Sequence, residues 1–240
     1  DRLTRKNLSK RCSIKQTENL KPTMIVFKNV SKRYPDGYVA LNNVDLTVQA
    51  GEMLFLTGHS GAGKSTLLKL IAALERPTSG TISISGQNIA QLKPAAIPYL
   101  RRKIGFVFQD HKLLFDRTAF ENVLLPLQIA NFESKTVASR VRAALDKVGL
   151  LKKEKSMPIA LSGGERQRLC IARAVVHRPS ILIADEPTGN LDVEYARDIM
   201  AMFTSFNQVG VTVLIATHDA SLLEDTQHRI LSLKQGKLAA

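Results

Sequence analysis

"MLFLTGHSGAGKSTLLKLIAAL" occupies residues 53–74. Its first residues run apolar without alternation, as a strand buried on both faces does. From Lys64 to Leu74 the apolar residues return at helical spacing. Between the two halves, "GHSGAGKST" (58–66) fits G-x-x-x-x-G-K-[ST] in the strand-to-helix setting that this motif requires. Gly58, Gly61 and Gly63 permit the backbone angles that turn successive N–H groups toward phosphate oxygens, with His59, Ser60 and Ala62 completing the cradle. The helix start adds its dipole. Lys64 is placed to bridge the β- and γ-phosphates and Ser65 to ligate Mg²⁺, while Thr66 offers a further hydroxyl. A random chain of this length meets the pattern roughly once in a hundred times. With the correct flanking elements, the stretch predicts a nucleoside triphosphate site.

Around it, short apolar runs alternate with helical patterns. "MIVFKNV" from Met24, "TISIS" (81–85), "IGFVFQ" (104–109), "SILIAD" (180–185) and "VTVLIATHD" (211–219) read as strands. A helix is expected over about 193–208, and "RILSLKQGKLA" as a hairpin turning at Gln235 and Gly236. The alternation predicts an α/β protein whose mainly parallel sheet is covered on both faces. The stretch between "FVFQD" and "SILIAD" breaks that rhythm. It reads as an inserted helical lobe, about residues 110–178, with breaks expected near Pro126 and Phe132.

Ligand groups in such sheets gather beyond the carboxyl ends of strands. "ILIADEP" (181–187) delivers Asp185 and Glu186 there, the first suited to Mg²⁺ and the second to orienting or deprotonating an attacking water. An Asp-Glu pair at a strand end is by itself more often a solvated loop start, and the phosphate loop upstream reverses that balance. "VLIATHD" brings His218 to the same rim, within reach of the γ-phosphate and Glu186. Gln109 ends its own strand, where it can reach Mg²⁺ or the water. His59, His111, His177 and His228 have no such strand-end setting.

"LSGGERQR" (161–168) opens a second helix with Ser162, Gly163 and Gly164, a second anion-binding surface. An ordinary capped helix explains the serine but not the paired glycines. Two copies facing each other across a twofold axis, each capping the other's triphosphate, explain both.

With these motifs in order, the sequence resembles the ATP-binding cassette (ABC) ATPases over about residues 24–239. The resemblance makes 58–66 the Walker A loop, Gln109 the Q-loop, 161–168 the signature, 181–186 Walker B, "GNLD" (189–192) the D-loop and His218 the switch histidine. It implies a P-loop NTPase fold with a mostly parallel core sheet, an antiparallel β subdomain and a helical subdomain. It also implies Mg²⁺-dependent ATP hydrolysis with Glu186 as the catalytic carboxylate, and ATP held between Walker A of one subunit and the signature of the other. Tyr34, in "SKRYPDG", falls where the family stacks an aromatic ring on adenine; simple strand packing explains a tyrosine there equally well. Two departures stand out. Glu165 replaces the glutamine of LSGGQ, which is not expected to abolish activity, and Gly189-Asn190 differs from the Ser-Ala of many D-loops.

Bulk properties fit a protein of this kind. The 240 residues are 44% hydrophobic and carry a net charge of +13. Residues 1–23 hold seven Lys/Arg against two acids, or +5, leaving +8 for the rest. They lack apolar periodicity and read as a basic, solvated extension or remnant, with Met24 as the expected natural start. Such charge favours polyanions, and an acidic membrane face accounts for it more simply than nucleic acid, which is not an expected partner. Cys12 and Cys170 are far apart in sequence, which suits a reduced, cytosolic protein. No run of eighteen apolar residues occurs, so a membrane part must come from elsewhere.

"TGHSGAGKSTLLKLI", "FQDHKLLFDRT", "ALDKVGL" and "ADEPTGNLD" resemble the cell-division branch of the cassettes. That resemblance implies an FtsX-like integral membrane subunit as partner, other division proteins beyond it, and an ATP-dependent homodimer at the cytoplasmic face of the bacterial inner membrane. There, ATP-driven closure would govern cell-wall hydrolases. In the family, a groove beside the Q-loop takes a helix of the membrane subunit, and Leu113, Leu114, Phe115 and Phe120 are candidates to line it. The alternative is the ATPase of a MacB- or LolD-like exporter or lipoprotein-releasing system.

Overall fold

Hydrogen bonding sorts the strands into two sheets. The computed structural model describes residues 22–189, 191–219, 222–223 and 226–239. The basic extension up to residue 21 therefore lies outside the described residues, as does Asn190 of the GNLD stretch.

Antiparallel pairing builds the smaller sheet from β1 (Thr23–Arg33), β2 (Val39–Gln49), β4 (Ser79–Ile84) and β5 (Gln87–Asn88), in the order β2-β1-β4-β5. The larger sheet holds β3 (Met53–Thr57), β6 (Ile104–Val107), β7 (Ile181–Asp185), β8 (Thr212–Ala216), β9 (Arg229–Lys234) and β10 (Lys237–Ala239), in the order β10-β9-β3-β8-β7-β6. Its strands are parallel except for β10. The closing hairpin turns at Gln235 and Gly236, both at positive φ (47° and 74°), as a tight two-residue turn requires.

Every residue of β7 and β8 is buried, and this explains their unbroken apolar sequences. Their side chains divide by face. Ile181, Ile183 and Leu214 join β1, β2 and α1 (Lys64–Ile71) in one core cluster. Leu182, Val213 and Ile215 join the helical lobe and α6 (Val193–Gln208) in the other. The lobe consists of α3 (Ala119–Ile129), α4 (Ser134–Lys147) and α5 (Gly163–Val175). A short α2 (Ile97–Arg101) precedes β6.

Three local expectations need correction. The helix expected to reach Leu74 stops at Ile71, because Ala73 turns left-handed (φ 50°) and the N–H groups of Ala73 and Leu74 close onto the carbonyls of Leu70 and Lys69. Pro126 does not break α3. The ring removes one N–H, yet Val123 and Leu127 on either side are fully buried and the helix continues through it to Ile129. The break comes after Ile129, where Asn131 turns left-handed (φ 53°). Finally, β6 ends at Val107, so Gln109 sits two residues beyond the strand rather than at its last position.

Candidate active site

Strand register decides what the site contains. Leu56 of β3 pairs with Ala216 of β8, and Ala216 pairs in turn with Asp185 of β7. The residues that follow these three therefore leave the sheet side by side: the glycine-rich loop, His218 and Glu186. Val107 of β6 pairs with Ala184, which brings Gln109 to the same edge. Together they line a cavity of about 470 Å³ with Lys64, Ser65, Thr66 and Tyr38.

The loop's glycines are required by proximity as well as by angle. A Cβ on Gly58 (φ 148°) would fall 2.3 Å from the Leu233 carbonyl oxygen. One on Gly63 (φ 108°) would fall 2.3 Å from that of Ala40. The loop is thus pressed against β2 and β9, and side chains at either position would push it off the sheet. Gly63 caps α1 with no side-chain bond, which leaves the first N–H groups of the helix for a ligand.

Lys64 is buried. Its Nζ donates to the Gly58 carbonyl at 2.7 Å and lies 3.5 Å from Glu186 Oε1. The other carboxylate oxygen, Oε2, meets His218 Nδ1 at 2.8 Å and accepts the His218 backbone N–H at 3.3 Å. Lys64, Glu186 and His218 therefore form one chain, tethered at the buried Lys64 end and open to solvent at the imidazole, which is 69% exposed. Glu186 holds a left-handed backbone (φ 50°), rare for a residue with a side chain and a strain of about 1–2 kcal/mol. Its N–H donates to Ala216 and its carbonyl accepts from Gly189, and these bonds fix the turn.

Asp185 is buried beside it. Burial raises its carboxyl above the ordinary value, while the Ser65 hydroxyl bonded to it opposes that rise. Its Oδ1 has no hydrogen-bond partner. An orphaned carboxylate oxygen next to a hydroxyl is the hard oxygen set that Mg²⁺ takes in phosphate sites, so these residues fit the ion.

Ser162, Gly163 and Gly164 do not line this cavity. Ser162 caps α5 in a reciprocal box with Glu165: the Glu165 N–H donates to Ser162 Oγ at 3.3 Å and the Ser162 N–H to Glu165 Oε2 at 3.0 Å. The Lys153 ammonium, followed by the Ser162 bonds, holds the Glu165 carboxyl below the usual range. A glutamine would close the same box, so it is the ion pair with Lys153 that gives the glutamate standing in place of glutamine a structural reason. Gly163 faces open space, whereas a Cβ on Gly164 would come within 2.7 Å of the Tyr195 ring of α6.

Tyr34 does not line the cavity. Its hydroxyl meets Thr66 Oγ1 at 3.2 Å and donates to Glu75 at 2.9 Å. Its ring stacks on that of Tyr38, centroids 6.3 Å apart, and Tyr38 is the aromatic residue at the cavity, bonded to the Gly61 carbonyl. Sequence reasoning missed Tyr38. The available signal was the pair of tyrosines flanking the Pro35-Asp36-Gly37 turn, which sets Tyr38 against the loop and Tyr34 behind it.

A phosphate loop, a strand-end carboxylate pair, a strand-end histidine and a capped glycine pair on one two-sheet scaffold define a nucleotide-hydrolysing cassette. The family model described as ABC transporter matches residues 41–189, and the chain belongs to the ABC transporter ATPase family. Members bind ATP with Mg²⁺ and hydrolyse it, and the chain is an ATPase of this kind. Among its relatives is the cell division ATP-binding protein FtsE of Escherichia coli (strain K12), 57% identical over 215 residues, covering 90% of this chain and 97% of that protein. FtsE of Bacillus subtilis (strain 168) is 43% identical over 213 residues, covering 89% and 93%. The dimeric post-hydrolysis structure of the ATP-binding cassette MJ0796, bound to ADP and Pi, matches with a TM-score of 0.84 and 37% identity, covering 90% and 97%.

Proposed function

We propose that this chain is the ATPase subunit of a cell-division complex, working as a twofold dimer on an FtsX-like membrane subunit that controls cell-wall hydrolases. One observation carries the dimer. The cavity gathers the phosphate loop, Gln109, Glu186 and His218, but not the Ser162–Gly164 surface at the start of α5. A second copy would present that surface to the open side of the nucleotide, and the similar cassette MJ0796 is dimeric.

Within each site the chain's own groups divide the work. The backbone N–H groups from Gly58 to Lys64 receive the phosphates, and Tyr38 with Tyr34 behind it offers the aromatic surface nearest the loop. Ser65, Asp185 and Gln109 would hold Mg²⁺, which when bound supplies charge neutralisation at the phosphates. Lys64 exchanges Glu186 for the arriving γ-phosphate. The freed carboxylate, still held by His218, takes the proton from the attacking water, and bond cleavage yields ADP and phosphate. The strained backbone at Glu186 keeps that carboxylate aimed at the cavity.

By its likeness to the cell-division ATPases we place the chain at the cytoplasmic face of the inner membrane, held there by its membrane partner; none of the described helices is long and apolar enough to cross a bilayer. Depletion in the native bacterium tests the assignment. Filamentous or chained cells support division, whereas trapped lipoproteins or drug sensitivity with normal septation would move the chain to the exporter branch.

A further inference from the structure

A second cavity, about 760 Å³, lies away from the nucleotide site. Pro179 and Val211, which lead into β7 and β8, help to line it, so it opens at the amino ends of the strands, the opposite edge of the sheet. Three helices converge there. The α4 wall gives Ala143 and Ala144, the end of α5 gives Val175 and Val176, and the end of α6 gives Phe206, with Val209 just beyond it. Val209 stands at the mouth 78% exposed.

The charge around this apolar floor has one sign. Arg140, Lys147 and Arg178 line the cleft and no acidic side chain does. Among the described residues none of the three forms an ion pair, although the neighbouring lobe cations Arg142, Lys153 and Arg168 each have a carboxylate. The Arg140 guanidinium rests instead over the Phe132 ring, 4.8 Å from its centroid. Arg140 and Lys147 are seven residues apart on α4, about 10 Å along the helix axis. Carboxylates at i and i+7 of another helix have the same spacing. Between the two cations α4 presents only Ala143 and Ala144 to the cleft, with Ser139 just before Arg140, side chains small enough for a second helix to approach closely.

We infer that this cleft docks an acidic amphipathic helix of a partner protein, its apolar face on Val175, Phe206 and Val209 and its carboxylates on Arg140 and Lys147. The chain's own first 21 residues are not the occupant, because they carry seven cations against two acids and would be repelled. The position is free of the nucleotide machinery, so a partner held here can stay bound through the ATPase cycle.

The probe is a fluorescent, helix-stabilised peptide four turns long, with leucines along one face and glutamates at i and i+7. A matched peptide carries lysines in place of the glutamates. Anisotropy with the full chain should show saturable binding of the acidic peptide only, weakening as salt rises. Arg140→Glu with Lys147→Glu should weaken it roughly tenfold or more, and Val209→Asp should do the same. ATP turnover and melting temperature should stay at wild-type values in both variants, which shows that the cleft and not the fold was altered. The inference is overturned if the acidic peptide does not bind, if the lysine peptide binds as well, or if the substitutions leave binding unchanged. Dodecanoate displacing the peptide at lower concentration than the peptide's own Kd would also overturn it, in favour of a small anionic amphiphile.

Discussion

Gly163 and Gly164 are adjacent, yet a methyl group should act on them in opposite directions. A Cβ at Gly163 meets nothing within 4 Å, and the residue sits in the first turn of α5 at an ordinary helical φ. Gly163→Ala should therefore stabilise the folded chain by about 0.5 kcal/mol through a less flexible unfolded state and better helix propensity. At Gly164 the same methyl would stand 2.7 Å from Tyr195 Cδ1 and 3.1 Å from Cε1. The ring is 42% exposed, but retreat would pull it from the Arg168 guanidinium, which lies over it and is tied to Asp198 at 2.8 Å. Overpacking of about 1–3 kcal/mol, less about 1 kcal/mol of propensity gain, gives a net loss of up to about 2 kcal/mol. Adding Tyr195→Ala should return part of that loss. Thermal unfolding should thus rank Gly163→Ala above wild type and Gly164→Ala below it. ATP turnover should fall roughly a hundredfold in Gly163→Ala despite its greater stability, because in the proposed dimer the open space over Gly163 receives the γ-phosphate of the nucleotide bound by the other copy. A stabilised Gly163→Ala that hydrolyses ATP at the wild-type rate would refute the reasoning.

Glu186→Gln should bind ATP normally, slow hydrolysis by roughly a hundredfold or more and accumulate as a dimer by light scattering; unchanged turnover would remove the carboxylate from the catalytic step. Burial lowers the His177 imidazole below its ordinary value of 6.5. The unfolded chain then binds the extra proton first, so stability is full above about pH 7 and declines as pH falls through the ordinary value. His177→Gln should flatten that slope in chemical denaturation series between pH 7.5 and about 5, and a slope left intact would contradict it. Burial also pushes the Cys170 thiol up to about 12. It should resist alkylation in the native protein and react once denatured, as mass spectrometry would record.

The parts legible in sequence were those in which a few consecutive residues carry the whole instruction. The glycine loop, the unbroken apolar runs of β7 and β8, and the polar residues that end them dictate local shape and chemistry together. The structure gathers Lys64, Asp185, Glu186 and His218 because parallel pairing aligns the strand ends, which the strand–helix alternation already implied. What sequence could not give depends on distant contacts. Pro126 looks like a breaker until the burial of Val123 and Leu127 is known. Gly164 looks like a phosphate glycine alone until Tyr195, thirty-one residues later, is found against it. Tyr34 and Tyr38 differ only in which ring the turn between them brings over the loop.

Sharing of nucleotide sites between two chains is tested most directly by mixing two inactive variants. Lys64→Ala loses its own phosphate loop, and Ser162→Arg loses the surface it offers to a partner. In a mixed dimer one site combines both defects, and the other combines two intact halves. Mg²⁺-ATP turnover of the mixture should therefore recover to about a quarter of wild type, set by random pairing. A mixture as inactive as its components, or a Ser162→Arg chain that turns over at the full rate alone, would contradict it.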